Sequence, residues 1–171
     1  MRKIIIIAVL LILFTGCSKD NSITITNEVN NDINNNVNEK VSTSKNQILY
    51  KFDTSLYKIT VEFNSSKYNV EKEKLMNNYY AVFVETREFK TPYFEQMREV
   101  IPDIDKNFKI SGYDAIRLRD NLDNYTLLKI DDSTIIYIIG RSNGFYTLDE
   151  IVNDSDYKDL LSNIKITVKK K

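Results

Sequence analysis

The segment from Thr134 to Gly140 constrains the fold most, because Ile135, Ile136, Tyr137, Ile138 and Ile139 leave it no polar side. Successive side chains of a β-strand point to opposite faces, so a strand with one wet face alternates apolar and polar residues. This run has no such alternation. Asp131-Asp132-Ser133 precedes it and Ser142-Asn143-Gly144 follows it, both turn sequences. A central strand in a sheet covered on both faces is therefore predicted. Tyr79 to Val84 reads the same way.

The other elements fall in order around these two. Ile48 to Phe52 and the alternating Tyr57, Ile59, Val61 and Phe63 predict a hairpin across Asp53-Thr54-Ser55. Lys67 to Asn78 is polar, with a turn of helix expected over Glu71 to Met76. Thr91-Pro92 opens a helix with a hydroxyl cap, proline at the first helical position and a stripe of Tyr93, Phe94, Met97, Val100 and Ile101, ended by Pro102. An antiparallel meander follows: Lys106 to Ile110, Tyr113 to Asp120, Tyr125 to Ile130 and Thr134 to Gly140. Thr147 caps a short helix with Leu148, Ile151 and Val152. Asp154 or Ser155 caps another with Tyr157, Leu160, Leu161 and Ile164, and Ile164 to Val168 closes the sheet. The expected class is α+β, a mainly antiparallel sheet with helices packed on both faces, built by a single globular domain over 47–171.

The N-terminus has a different character. Arg2 and Lys3 precede an apolar run from Ile4 to Phe14, which is short of the about 20 residues that a membrane-crossing helix needs. It suits the h-region of a signal peptide, with small residues following in Thr15 and Gly16. Thr15-Gly16-Cys17 resembles the lipobox of bacterial lipoproteins. The resemblance implies that residues 1–16 are a cleaved signal peptide and that Cys17 carries a thioether-linked diacylglycerol, with palmitate among the expected acyl chains. Residues 17–46 are then the lipidated cysteine and an Asn-rich disordered linker, too polar to offset the entropy of ordering.

Composition removes several chemistries. The chain has no His, no Trp and a single Cys, so Ser-His and Cys-His catalysis, internal disulfides and zinc sites built on nitrogen or sulfur are not expected. Its 24 basic and 24 acidic residues give no field that would draw nucleic acid. Abundant Asn, Lys, Ile and Tyr fits an AT-rich genome and a Gram-positive bacterium.

What remains are partial motifs. Asp103, Asp105, Asn107, Lys109, Ser111 and Asp114 have the spacing of a calcium loop, but Phe108 replaces the turn glycine and a strand pattern follows. Ser42 to Lys45 and Ser155 to Lys158 match S-x-x-K with no K-T-G after them. Asp131-Asp132, Asp149-Glu150 and Asp154/Asp156 are acidic pairs of the kind a glycosidase uses, yet each stands at a turn or a helix start, where acids are favoured in any case. Arg117 and Arg119 share a strand face and, with Lys129, suggest either a small anion patch or a solvated face. Among the eleven tyrosines, Tyr57, Tyr79, Tyr80, Tyr113, Tyr125 and Tyr137 fall on strands, as core or as a binding face.

The order of elements, with the Tyr57 to Phe63 strand, the Ser111-Gly112-Tyr113-Asp114-Ala115 turn, the Ile135 to Gly140 strand and Leu160-Leu161-Ser162-Asn163-Ile164, is similar to the PsbP-like family. That likeness implies an α/β/α sandwich and no catalytic residue. The expected function is a non-catalytic binding or assembly module, held on the extracytoplasmic face of the cell membrane through lipid on Cys17. A protein partner at the cell surface is expected; nucleic acid, cofactor and metal are not. A cell-wall or glycan hydrolase using an acidic pair and a transporter-associated substrate-binding lipoprotein remain as alternatives.

Overall fold

The computed structural model describes residues 33–34, 38–44, 47–102, 105–120, 122–144 and 146–171. Residues 1–16, Cys17 and Asp103 lie outside the described residues. In chain order the elements are β1 (Ile33–Asn34), β2 (Asn38–Ser44), β3 (Gln47–Asp53), β4 (Tyr57–Asn64), β5 (Asn69–Glu71), β6 (Lys74–Met76), β7 (Tyr80–Phe89) and α1 (Tyr93–Val100). There follow β8 (Phe108–Ile110), β9 (Tyr113–Arg119), β10 (Asp123–Lys129), β11 (Thr134–Ser142), α2 (Leu148–Asn153), α3 (Ser155–Ser162) and β12 (Lys165–Lys170).

The strands form two antiparallel sheets. The larger has the order β5-β6-β7-β11-β10-β9-β8, with β1 also paired to β7; the smaller is β12-β4-β3-β2. As its sequence requires, β11 is buried from Thr134 through Gly140 and lies between β7 and β10. Its even-numbered residues Ile136 and Ile138 join Tyr80, Val82 and Val84 of β7 in one cluster with Ile48, Tyr50 and Phe52 of β3 and Ile59, Val61 and Phe63 of β4. Ile151, Tyr157, Leu160 and Leu161 of α2 and α3 belong to that cluster as well. Ile135, Tyr137 and Ile139 point the other way, into a second cluster with Phe89, Tyr93, Phe94 and Ile101 around α1.

A mainly antiparallel α+β protein is thus what the chain forms, with one correction to the expected layering. The hairpin β3–β4 does not extend the main sheet. It joins β2 and β12 in a separate sheet, so most of one face of the larger sheet is covered by strands. The reason lies in the side chains: the alternating apolar set of β3 and β4 can close only one face, and that face meets the face of β7 and β11.

Local departures have equally definite causes. Glu71 to Met76 is part of a β5–β6 hairpin, not a helical turn; Lys72 and Glu73 take positive φ at its tip, and Leu75 is fully buried. In α1 the cap is Pro92 with no side-chain hydrogen bond, so Thr91 contributes its backbone carbonyl to Tyr93 and not its hydroxyl. Val100, at the end of the expected stripe, is 62% exposed. Ordered pairing begins before Gln47: β2, inside the expected linker, runs antiparallel to β3, and Val41 packs on the main core. One apolar side chain suffices there, because an edge strand takes most of its order from the ladder.

Gly140 marks the closest approach of the helices to β11. A Cβ there would stand 3.3 Å from Ile151 Cγ2 and 3.6 Å from the Tyr157 ring. Overpacking of this kind costs about 1–3 kcal/mol. Gly140→Ala should fall at the lower end of that range and Gly140→Val at the upper end, read as a lowered urea midpoint with an unchanged m-value.

Candidate functional site

On β9, Ile116 and Leu118 point toward α1, which sends Ala115, Arg117 and Arg119 to the face that carries the main core. The arginines are therefore half-buried at the rim of that core. Across the ladder Arg119 stands opposite Asn124, which stands opposite Gly140; Arg117 stands opposite Thr126 and then Ile138. Asp105 accepts from Arg117 Nη1 at 3.4 Å and from Arg119 Nη2 at 3.1 Å, with 6% of its own side chain exposed. Arg119 Nη1 also donates to Asp149 in the first turn of α2. Two cations and two carboxylates tie the α1–β8 connection and α2 onto the sheet. Lys129 is on the opposite face, bridging Glu95 at 2.7 Å and Asp132 at 2.8 Å. The three-residue anion patch is therefore not brought together, and neither is a solvated strand face.

This cluster includes polar atoms without partners. Asn124 is completely buried, and both atoms of its amide lack a hydrogen bond, as do Arg117 Nε and Arg119 Nε. The Thr126 and Tyr157 hydroxyls lie near one another without hydrogen-bond geometry.

The acidic pairs are occupied in turns and caps. Asp131 accepts from the backbone of Ser133 at 2.8 Å and of Thr134 at 2.7 Å, and from the Tyr57 hydroxyl. Burial would raise its pKa, but these donors outweigh burial and hold it below the usual aspartate value. Glu150 completes a reciprocal capping box with Thr147. Asp154 caps α3 through Asp156 N and Tyr157 N, and accepts from the Tyr80 hydroxyl at 2.7 Å; Asp156 bridges Lys67 at 2.6 Å. The calcium spacing is dispersed in the same way. Lys109 holds Asp114, Arg98 donates to Asn107, and the Ser111 hydroxyl donates to the Ile164 carbonyl. Among the described residues no three His, Cys, Asp or Glu side chains gather to hold a metal. Of the S-x-x-K matches, Ser42 is on β2 with Lys45 outside the described residues, while Ser155 opens α3 and Lys158 is exposed on it.

A more open surface lies beyond the end of α1, on the same face of the larger sheet. There Arg141 of β11 reaches Asp123 through Nε and Nη2, both at 2.6 Å, and its guanidinium lies 5.4 Å from the Phe83 ring centre. Lys74 Nζ approaches that ring at 4.8 Å, and Arg87 lies 4.6 Å from the Tyr137 ring centre. Tyr125 meets Tyr137 edge-on, its hydroxyl 3.1 Å from both Asp120 and Asp123. Burial, together with these two carboxylates, raises the Tyr125 pKa far above the ordinary phenol value. Aromatic rings and long cations thus interleave on a half-buried sheet face. It is not legible in the sequence, because Lys74 lies in the expected helical turn and Arg87 and Arg141 lie beyond the expected strand ends.

The tyrosines divide between core and rim. Tyr80 and Tyr137 are buried, Tyr57, Tyr113 and Tyr125 are half-buried, and Tyr79 is exposed and stacked on Tyr146 at 4.4 Å. No known protein family matches the chain, and neither a curated protein nor a solved structure is detectably similar to it.

Two outcomes follow from this geometry. Asp105→Ala leaves two arginines without their shared carboxylate and should lose about 3 kcal/mol, whereas replacing Asp105, Arg117 and Arg119 together by apolar residues of similar volume should lose less, as measured by denaturant melts. Burial raises the pKa of Tyr68, Tyr80, Tyr125, Tyr137 and Tyr157. The fold favours the neutral phenol, so this stability is complete below the unfolded value of about 10 and declines as pH rises above it. Tyrosinate absorbance should show these buried tyrosines ionising in one late step that coincides with unfolding.

Proposed function

We propose that this protein is a lipid-anchored extracytoplasmic lipoprotein, cleaved after Gly16 and acylated on Cys17, whose globular part is a non-catalytic binding or assembly module. The half-open aromatic and cationic face of Phe83, Arg87, Tyr125 and Arg141 is its binding surface. The observation that carries this reading is the contrast between that face and the acidic pairs. The carboxylates a hydrolase would use accept from helix caps, turn amides and cations, whereas the rings and guanidinium groups of the sheet face stand at a half-exposed surface suited to a macromolecular partner. Helical residues contribute to the clusters on both faces of the larger sheet, which supports relating the domain to the PsbP-like sandwich. The added smaller sheet is its departure from that plan.

The test joins two readouts on the native protein. Mass spectrometry should find a mature chain beginning at Cys17 with a diacylglycerol on sulfur; an intact Met1 or a bare thiol there removes the anchor from the proposal. A photo-cross-linking residue at Phe83 or Tyr125 in intact cells should give a discrete adduct that one at Val100 does not. Phe83→Ala should weaken capture by about 30-fold, the effect of losing one interface anchor, with the melting temperature checking that the fold survives. Equal adducts from all three positions would count against the face.

A further inference from the structure

We propose that the outer face of the smaller sheet docks on an anionic lipid bilayer, so that the domain sits on the membrane in a fixed orientation. Alternation decides which residues this face presents. Ile59, Val61 and Phe63 of β4 point inward, which leaves Lys58, Thr60 and Glu62 outward; on β3 the outward residues include Leu49, Lys51 and Asp53, and on β12 Lys165, Thr167 and Lys169. Lys51, Lys58, Lys165 and Lys169 are all exposed. The two acids among them are already engaged: Asp53 bridges Lys171, and Glu62 accepts from Gln47 at 3.0 Å and Asn64 at 2.8 Å.

The lysines outnumber the acids that face them. Lys165 stands opposite Glu62, and Lys58 stands opposite Asp53 on one side but opposite Lys169 on the other. Like charges directly opposed across a ladder are destabilising. The chain has equal numbers of acids and bases overall, yet on this flat polar face four outward lysines meet two carboxylates. A surface of closely spaced negative charge offsets that repulsion, and a bilayer of anionic headgroups supplies one.

The path of the chain favours a bilayer over a dissolved polyanion. The first long strand, β2, is the edge strand of this same sheet. The chain reaches β2 from β1, which pairs with β7 of the larger sheet, and Cys17 precedes both; its lipid would hold the domain at a bilayer, which is where the inference rests on the lipoprotein reading above.

Lysine footprinting on the full chain tests this. Protein extracted from membranes is reconstituted into phosphatidylcholine vesicles with or without phosphatidylglycerol and treated briefly with an amine-acylating reagent, and labelling is read by mass spectrometry. In phosphatidylglycerol vesicles, labelling of Lys51, Lys58, Lys165 and Lys169 should slow by about fivefold or more relative to the exposed Lys72 and Lys158, since each lysine near such a surface gains about a fivefold preference for it. Molar salt should abolish the difference. Equal labelling in both vesicle types overturns the proposal, as does equal protection in neutral vesicles by a soluble polyglycerol phosphate, which would make a polymer the partner. Flotation of the same vesicles reports the anchor independently, so loss of the anchor and loss of docking are distinguishable.

Discussion

The burial of β11 on both faces is the constraint that the rest of the structure answers. Five successive large side chains, Ile135 to Ile139, are each at most 2% exposed. Burying a side chain of this size contributes about 1.5–3 kcal/mol, whereas the caps on α2 and α3 contribute about 1 kcal/mol each. Helix ends adjust to the sheet accordingly. α2 and α3 are short and lie where Gly140 lets them come close to β11, and α1 serves the opposite face with Tyr93 and Phe94. Neither face has enough helix to cover it alone, so the smaller sheet is structurally required and supplies six large side chains from β3 and β4.

Buried polarity acts in the other direction. Asp105, Arg117, Arg119, Asn124 and Thr126 interrupt an otherwise apolar interior, and a well-packed apolar replacement of a buried ion pair is often no less stable. Their effect is on geometry. Salt bridges from Asp105 to Arg117 and Arg119, two residues on one face of β9, fix how the segment after α1 re-enters the sheet, and Asp149 orients α2 through Arg119. The unpartnered Asn124 amide shows that the register of β10 between β9 and β11 is held by the ladder and by Leu127 and Leu128, not by local hydrogen bonding.

Wherever a segment's own chemistry determined its state, the sequence was sufficient. The two-sided burial of β11, the Ser111-Gly112 hairpin and the Thr147 cap were readable, and the cap of α3 was narrowed to Asp154 or Ser155, because each depends on residues within four positions. What was not readable depends on distant partners. The period of β3 and β4 says that one face is buried but not which sheet covers it. The alternation of Arg117 and Arg119 says that they share a face but not that Asp105 waits on it. Thr91 looks like a cap until the backbone places Pro92 in that position. Within β2 Val41 is the single apolar residue and shows no strand alternation, and the strand exists because β3 offers an open edge.

Charge distribution follows the same division between local and distant causes. With 24 basic and 24 acidic residues the chain has no net field, so any directional electrostatic behaviour has to come from how the folds of the two sheets sort those charges. The helical segment 148–162 carries Asp149, Glu150, Asp154, Asp156 and Asp159 against Lys158, while on the outer face of the smaller sheet Lys51, Lys58, Lys165 and Lys169 outnumber Asp53 and Glu62. Surface charges separated by more than about 8 Å are screened at physiological salt, so such a sorting has little effect on the stability of the monomer. It acts at short range, on whatever surface the domain approaches.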